Sequence, residues 1–208
     1  CKGLVNAFRE GIDVHTATAS KVFKTPVDKV TSQMRSSAKA VNFGIIYGMS
    51  EYGLAKTLKV SNNEARDYIN SYFKEYPEVK AYMDKNVAFA KENGYAQTLL
   101  GRKRHIRELS SSNYALRQFG ERVAMNMPIQ GTAADIIKLA MIKVYDELKI
   151  NVPEAKLIMQ VHDELICECD INDKDLCASI LKSEMEAAAS LSVPLLAEVG
   201  FGKDWLEA

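Results

Sequence analysis

The spacing of apolar residues predicts helices through most of the chain. Residues 1–24 carry apolar side chains at helical intervals, and a second periodic segment runs from Val30 to Tyr47, with Gly48 placed to end it. Further helices are predicted from about 61 to 76, 78 to 92, 113 to 127, 133 to 148 and 173 to 190. Pro128 is expected to end or kink the helix that precedes it, because proline lacks the backbone N–H.

The strand signals are fewer, and one of them is clear. Two apolar runs, 157–161 and 165–169, flank the tripeptide His162-Asp163-Glu164, which is the pattern of a β-hairpin. The weaker strand candidates are Tyr95–Leu100 and Val193–Val199. The pattern as a whole predicts a predominantly helical α+β fold with a small antiparallel sheet.

Composition places the chain among globular proteins of one or two compact units. It has 208 residues, of which 47% are hydrophobic and 26% are charged. No apolar run approaches the roughly 18 residues that predict a membrane span, and no signal peptide is visible. The four cysteines lack a Cys-x-x-Cys pair, so reduced thiols in a cytosolic protein are expected rather than zinc or disulfides.

The net charge of zero removes the simplest signature of a nucleic-acid-binding protein, but the charges are unevenly distributed. Residues 102–122 include six cationic and two acidic side chains, whereas residues 163–175 include six acidic side chains and one lysine. A basic and an acidic stretch in one chain suit a protein that holds phosphates and metal ions. Two ordinary solvated faces would give the same counts.

One helix carries a stripe of cations followed by aromatic rings. Arg35, Lys39, Phe43 and Tyr47 follow one another at four-residue steps and therefore share one side of the predicted helix. A nucleoside triphosphate presents the same order of features, a charged tail for the cations and a flat base for a ring. The alternative is an amphipathic helix with a basic edge.

The tip of the predicted hairpin is a second candidate site. His162 and Asp163 are not the Asn-Gly or Asp-Gly residues that a tight turn prefers. A carboxylate on a rigid turn is a suitable ligand for Mg²⁺, which takes one or two protein carboxylates together with substrate phosphates. A solvent-exposed polar turn remains the alternative.

A third group is polar and again spaced by four residues. Arg122, Asn126 and Gln130 can donate hydrogen bonds to the acceptors that base pairs present in the minor groove. The signal is weak by itself, since polar residues at helical spacing are common.

These residues together resemble family A DNA polymerases. The segment Arg35-x-x-x-Lys39-x-x-x-Phe43-Gly-x-x-Tyr47-Gly resembles the motif B of their fingers helix, and Gln160-Val161-His162-Asp163-Glu164 resembles motif C. Asp13-Val14-His15-Thr16 and Gln130-Gly131-Thr132-Ala133-Ala134-Asp135 also match, in the same order. The resemblance covers nearly the whole chain and implies fingers helices plus part of the antiparallel-sheet palm of a right-hand polymerase fold. Residues 1–110 would be mainly fingers, and 111–208 the C-terminal part of the palm.

The resemblance implies a role for each of the singled-out residues. Arg35, Lys39 and His15 would bind the incoming triphosphate, with Lys39 also placed to protonate the departing pyrophosphate. Phe43 would stack on the nucleotide, and Tyr47 would guard the sugar and the templating position. The DNA-binding residues would be Arg122, Asn126 and Gln130 along the minor groove, and His162 near the primer terminus. Asp163 would bind catalytic metal, with Glu164 supporting it.

The implied reaction is deoxynucleotide addition to a primer 3′ end with two Mg²⁺ ions, on primer–template DNA and deoxynucleoside triphosphates. The other metal-binding Asp belongs to a family motif expected a little under twenty residues before Leu4, together with a Glu that gates the ribose with Tyr47. Because the chain opens at Cys1 without that motif or the thumb, we expect a piece of a longer bacterial polymerase, inactive alone.

Two other interpretations remain open. A single-subunit RNA polymerase shares the hand-like layout, although Asn42-Phe43-Gly44 and Glu164 favour the DNA enzyme. A non-catalytic DNA-binding module on the same scaffold would not need a metal-binding carboxylate at Asp163. The resemblance also implies a location in the bacterial cytoplasm at the nucleoid, without a membrane partner.

Overall fold

The structure is a computed structural model that describes residues 1–207, and these form eight α-helices and four β-strands. The helices are α1 (Lys2–Arg9), α2 (Val14–Val22), α3 (Ser32–Ile46), α4 (Glu51–Leu58), α5 (Asn62–Glu75), α6 (Pro77–Asn93), α7 (Tyr114–Asn151) and α8 (Lys174–Glu186). The strands are β1 (Tyr95–Gln97), β2 (Lys103–His105), β3 (Lys156–Val161) and β4 (Glu164–Glu168). Short 3₁₀ turns lie at Val27–Lys29, Arg107–Ser110 and Ile171–Asp173. The predominantly helical α+β class is confirmed, although the described strands form two antiparallel pairs, β1–β2 and β3–β4, rather than one sheet.

The chain divides into two compact units, the first covering residues 1–131 and the second beginning at Thr132. The first unit packs the helices before β1 around one apolar cluster. The buried members of that cluster include Val22, Val41, Ile45, Leu54, Tyr72 and Tyr76. The subdomain boundary expected at residues 110/111 is a functional division, and it stays a prediction.

Local signals explain where several helices begin. Ser61 and Glu64 form a reciprocal capping box, with the Glu64 N–H donating to Ser61 Oγ and the Ser61 N–H donating to Glu64 Oε2 at 2.9 Å. Thr31 caps α3 by a single hydrogen bond, accepting from the Met34 N–H. The capping box therefore sets the start of α5 where the sequence predicts a turn into a helix.

The first 24 residues form two helices instead of the single helical segment expected. Gly11 has a φ of 67°, which ends the first helix in a conformation that favours glycine. Asp13 then starts α2 by accepting a hydrogen bond from the Thr16 N–H at 2.8 Å. The apolar spacing continues across the break, which is why periodicity alone does not detect it.

Gly48 follows α3 at the place predicted for a helix-ending glycine. Its φ is 64°, and its N–H donates to the Ile45 carbonyl. A Cβ at this position would lie 2.9 Å from Arg122 Cγ and 2.5 Å from Met125 Cε. The end of α3 is therefore packed against α7 at a distance that only glycine permits.

We expect Gly48→Ala to lower the free energy of unfolding by about 1–3 kcal/mol, through the positive φ and the contact with Arg122. Gly94→Ala is the matched control, because Gly94 has a φ of 76° but no atom within 4 Å of the added Cβ. Urea denaturation followed by circular dichroism measures both. Equal losses would mean that the Arg122 contact relaxes without cost.

Pro128 does not end the helix that precedes it, because the 38-residue helix α7 runs through it, and the two helices predicted on either side of Pro128 are therefore one. Proline removes one hydrogen bond and crowds the preceding turn. The neighbouring turn is held by tertiary packing, because Ala124 and Met127 are buried in a cluster with Ile106. Packing of this apolar face outweighs the local cost of the proline.

The second unit places a hairpin and a helix around a small core. Val144 and Leu148 of α7 pack with Cys177 and Ile180 of α8, and Val152, which directly follows α7, joins the same cluster. Burial raises the pKa of the Cys177 thiol to about 12, so it stays a protonated thiol. All four cysteines are free, as the sequence predicts.

Two expectations for the second unit need correction. Helix α8 ends at Glu186 rather than near Ser190. Residues 193–199 form no strand, and within residues 1–207 the only β-partners are those within each hairpin. A strand needs a neighbour for its backbone groups, which an apolar run cannot supply by itself. No helix in residues 1–207 combines the length and the hydropathy needed to cross a bilayer.

Candidate functional site

The predicted stripe on α3 is exposed along its whole length. Arg35, Lys39, Phe43 and Tyr47 are all exposed, and Phe43 and Tyr47 each keep 42% of their surface. The opposite side of the helix is anchored in the core by Ala38, Val41 and Ile45. Two large rings left in solvent on a well-anchored helix are available to a flat ligand.

The stripe is a continuous surface rather than four separate side chains. Lys39 Nζ lies 6.0 Å from the centroid of the Phe43 ring. The Phe43 and Tyr47 rings are 6.3 Å apart and within 21° of parallel. Within the part of the chain that the structure describes, Lys39 forms no ion pair, so its ammonium group can bind an anion.

His15 joins this surface from the first turn of α2. Its ring centroid is 5.7 Å from that of Phe43, and its Nδ1 lies 2.9 Å from Asn42 Nδ2. The Asn42 amide is buried and also bonds the buried hydroxyl of Thr18. With the amide nitrogen as donor, His15 accepts at Nδ1 and carries its proton on Nε2, the nitrogen left for a ligand.

The surroundings of His15 favour its neutral form. Burial lowers its pKa from the ordinary 6.5; the Asp13 carboxylate opposes this shift, while Arg35 and Lys39 add to it. Since the pKa is lower in the folded than in the unfolded protein, His15 contributes stability that is present above about pH 6.5 and is lost as the pH falls through its folded pKa.

We therefore expect His15→Gln to remove part of the loss of stability between pH 7.5 and pH 5. The free energy of unfolding, measured in urea at both pH values, should fall more in the wild-type chain than in the variant. The variant keeps an amide that can pair with Asn42, so its stability at pH 7.5 is a useful control. An identical pH dependence in both proteins would contradict the lowered pKa.

Arg35 has an intramolecular partner that the sequence does not reveal. Its Nε lies 2.8 Å from Asp13 Oδ2, and its Nη2 lies 3.0 Å from Asp13 Oδ1. The guanidinium and the two hydrogen bonds from Thr16 hold the pKa of the Asp13 carboxyl well below its usual range. Asp13 lies in one of the four matched motifs and, with Thr16, has the spacing of a helix cap, but neither signal points to a pairing with Arg35.

The three minor-groove candidates lie on α7 in the first unit. Arg122 and Asn126 are half-buried, and Gln130 is exposed. Gln130 Nε2 lies 2.8 Å from the hydroxyl oxygen of Tyr47 and donates a hydrogen bond to it, at the end of the stripe. The structure thus links one member of this group to the stripe, a contact between residues 83 positions apart.

The hairpin of the second unit presents Asp163 at its turn. Val161 pairs with Glu164, so His162 and Asp163 form a two-residue turn in which His162 has a φ of 51°. The Gln160 amide donates to the His162 carbonyl at 2.5 Å. His162, Asp163 and Glu164 are all exposed.

The hairpin carries oxygen ligands but too few to enclose a metal ion. Residues 1–207 contain no group of three or more His, Cys, Asp or Glu side chains arranged to hold one. Asp163 and Glu164 provide hard carboxylate oxygens, which suit a cation that keeps waters and substrate phosphates as its other ligands. The residues present therefore fit Mg²⁺ as part of a larger ligand set.

Comparison with known proteins identifies the family to which the chain belongs. Residues 1–207 match the family described as DNA polymerase family A. The chain belongs to that family. The resemblance drawn from the four motifs is thereby confirmed, and enzymes of this family use divalent metal ions.

Relatives and solved structures agree with the family assignment. The chain is 53% identical over 204 residues to a DNA polymerase I of Caldicellulosiruptor bescii, covering 98% of this chain and 24% of the relative. It is 46% identical over 207 residues to a DNA polymerase I of Bacillus subtilis, covering 100% of this chain and 24% of the relative. These relatives are thus about four times as long as the matched region.

A solved structure extends the agreement to three dimensions. The chain is similar to the POL domain of Pol1 from M. smegmatis, in complex with DNA primer-template and dNTP, with a TM-score of 0.93 and 42% identity. The match covers 98% of this chain and 36% of that one. Fold class and family are therefore established, whereas the individual roles of the site residues remain predictions.

Proposed function

We propose that this family A chain takes part in template-directed DNA synthesis, adding deoxynucleotides to a primer 3′ end. The observation that carries the proposal is the exposed stripe on α3, in which two cations precede two solvent-facing rings. The M. smegmatis domain, similar over 98% of this chain, is described in complex with primer-template and dNTP, which supports these two partners.

In this proposal the stripe binds the nucleotide from tail to base. Arg35 and Lys39 neutralise the triphosphate, and His15 donates to it through Nε2. Phe43 stacks on the base, and the absence of a hydroxyl on its ring fits discrimination against dideoxynucleotides. Tyr47 guards the sugar and the templating position. Lys39, which forms no ion pair within residues 1–207, donates a proton as pyrophosphate departs.

The hairpin supplies the metal-binding acid of the same reaction. Two Mg²⁺ ions, when bound, lower the pKa of the primer 3′-hydroxyl and neutralise charge on the leaving pyrophosphate. Asp163 provides a carboxylate for them, and Glu164 supports it. The second Asp ligand would come from polypeptide outside these 208 residues.

The remaining candidates contact the primer–template. Arg122, Asn126 and Gln130 follow the minor groove, where donors recognise acceptors common to all base pairs and so test the shape of the pair. His162 contacts the primer terminus. Residues 1–110 then serve mainly as fingers and the rest as the C-terminal part of the palm, in an enzyme that works on the bacterial nucleoid.

Primer extension tests the proposal. We expect the full-length polypeptide that contains these residues to extend a primed template with Mg²⁺ and four deoxynucleotides. The 208-residue chain alone should bind DNA without extending it, because the second Asp ligand is supplied from elsewhere. A preference of the full-length polypeptide for ribonucleotides would favour an RNA polymerase, and DNA binding by the full-length polypeptide without any extension would favour a non-catalytic module. Extension by the chain alone would refute its dependence on an external carboxylate.

A further inference from the structure

The ion pair between Asp13 and Arg35 occupies the arginine that we assign to the triphosphate. Both carboxylate oxygens are engaged, at 2.8 Å from Nε and 3.0 Å from Nη2. The pairing therefore uses one of the two edges through which a guanidinium forms bidentate bonds. Phosphate oxygens prefer the same geometry.

Asp13 is held in place independently of Arg35. Its Oδ2 accepts from the Thr16 N–H at 2.8 Å and from the Thr16 hydroxyl at 2.7 Å, as the cap of α2. The carboxylate is therefore part of the helix framework, whereas Arg35 is a long side chain with 47% of its surface exposed. When the pair opens, Arg35 is the partner that moves.

We propose that Asp13 is a positioning residue that sets the affinity of the nucleotide site for phosphate by competing for Arg35. This inference rests on the proposed function of Arg35. An anion arriving at Arg35 either displaces Asp13 or binds beside its negative charge, and both reduce affinity. The pair is exposed, so the reduction is modest and reversible.

Competition from Asp13 lowers the affinity for both the deoxynucleoside triphosphate and pyrophosphate, but only the triphosphate has a second contact that offsets the loss. A deoxynucleoside triphosphate regains affinity by stacking on Phe43, whereas pyrophosphate has no base to stack. Product is thus left with the weaker binding, and the Asp13–Arg35 pair re-forms as pyrophosphate leaves. The closed pair is the resting state of the site.

Anion binding to the 208-residue chain tests this directly. Inorganic tripolyphosphate is titrated calorimetrically with EDTA present, so that metal binding at Asp163 does not contribute. We expect Asp13→Asn to tighten binding about two- to fivefold, the range that an exposed ion pair can supply. Asparagine remains a good helix cap, and Asp13→Ser provides a second uncharged cap if the first variant folds poorly.

The chain contains a matched control in the pair Glu51–Arg66. Its distances are 2.7 Å and 2.8 Å, and its exposure is similar. Glu51→Gln should leave tripolyphosphate affinity unchanged. In an Arg35→Ala background, which we expect to bind weakly, Asp13→Asn should have no further effect, because Asp13 acts through Arg35.

Unchanged or weaker binding in both Asp13 variants would overturn the inference, as would tightening that persists without Arg35. Different experimental results would refute the inference and the proposed function. Primer extension in the full-length polypeptide with unaltered pyrophosphate inhibition in Asp13→Asn would sink the inference alone. Tighter anion binding in a full-length polypeptide that never extends a primer would sink the proposed function alone.

Discussion

Replacing Asp163 by Asn should reduce primer extension by the full-length polypeptide by three orders of magnitude or more. Asparagine keeps the size of the side chain and removes the charge that a metal ion requires. Metal ions stabilise transition-state charge by several kcal/mol, and each 1.36 kcal/mol corresponds to a factor of ten in rate. Because Asp163 is exposed at a turn, the substitution leaves the core of the second unit intact.

Glu168→Gln is the control for this experiment. Glu168 is another exposed acid of the same hairpin, at the far end of β4, where it faces Lys156 across the ladder. It should retain wild-type extension, and both variants should retain DNA binding. Full activity in Asp163→Asn would show that the hairpin turn has only a structural role and that the metal ligands lie elsewhere.

The second large effect is expected from Lys39→Ala. Loss of the cation removes both a triphosphate contact and the proposed proton donor to pyrophosphate. Removing one electrostatic stabiliser of a transition state costs on the order of 10²–10³ in rate, and general acid catalysis contributes a similar factor. Rapid-quench measurement of single-nucleotide incorporation should show that the maximal rate falls by roughly 10²–10³.

Lys56→Ala is the control for Lys39, since Lys56 is an exposed lysine on α4 in the same unit. The Arg35 site offers a further contrast, because Arg35→Ala should raise the nucleotide concentration needed for half-maximal rate more than it lowers the maximal rate. If Lys39→Ala changed only that concentration, Lys39 would bind the triphosphate without donating the proton.

Elements with complete local signals were predictable from the sequence. The capping box at Ser61 and the glycine at 94 place α5 and α6 within a residue or two of their observed ends. Strand β2 was missed because all three of its residues are exposed and polar, so it has no alternating pattern. Tertiary packing allows α7 to continue through Pro128, an outcome that local sequence rules do not predict.

In the candidate site, too, the features within one helix were predictable from the sequence, and the contacts between helices were not. The stripe from Arg35 to Tyr47 was predictable because its residues share one helix and one period. The Asp13–Arg35 pair and the Tyr47–Gln130 hydrogen bond join residues 22 and 83 positions apart. Such contacts depend on how helices pack, and a single sequence carries no periodic signal for them.

The β3–β4 hairpin has a practical consequence for handling this chain. Within residues 1–207 each of these strands has one neighbour, so each leaves an outer edge of unpaired N–H and C=O groups. Ile158 and Met159 on β3 are 54% and 41% exposed. Because apolar open edges of this kind template the addition of further strands, we expect concentrated stocks of the isolated chain to aggregate.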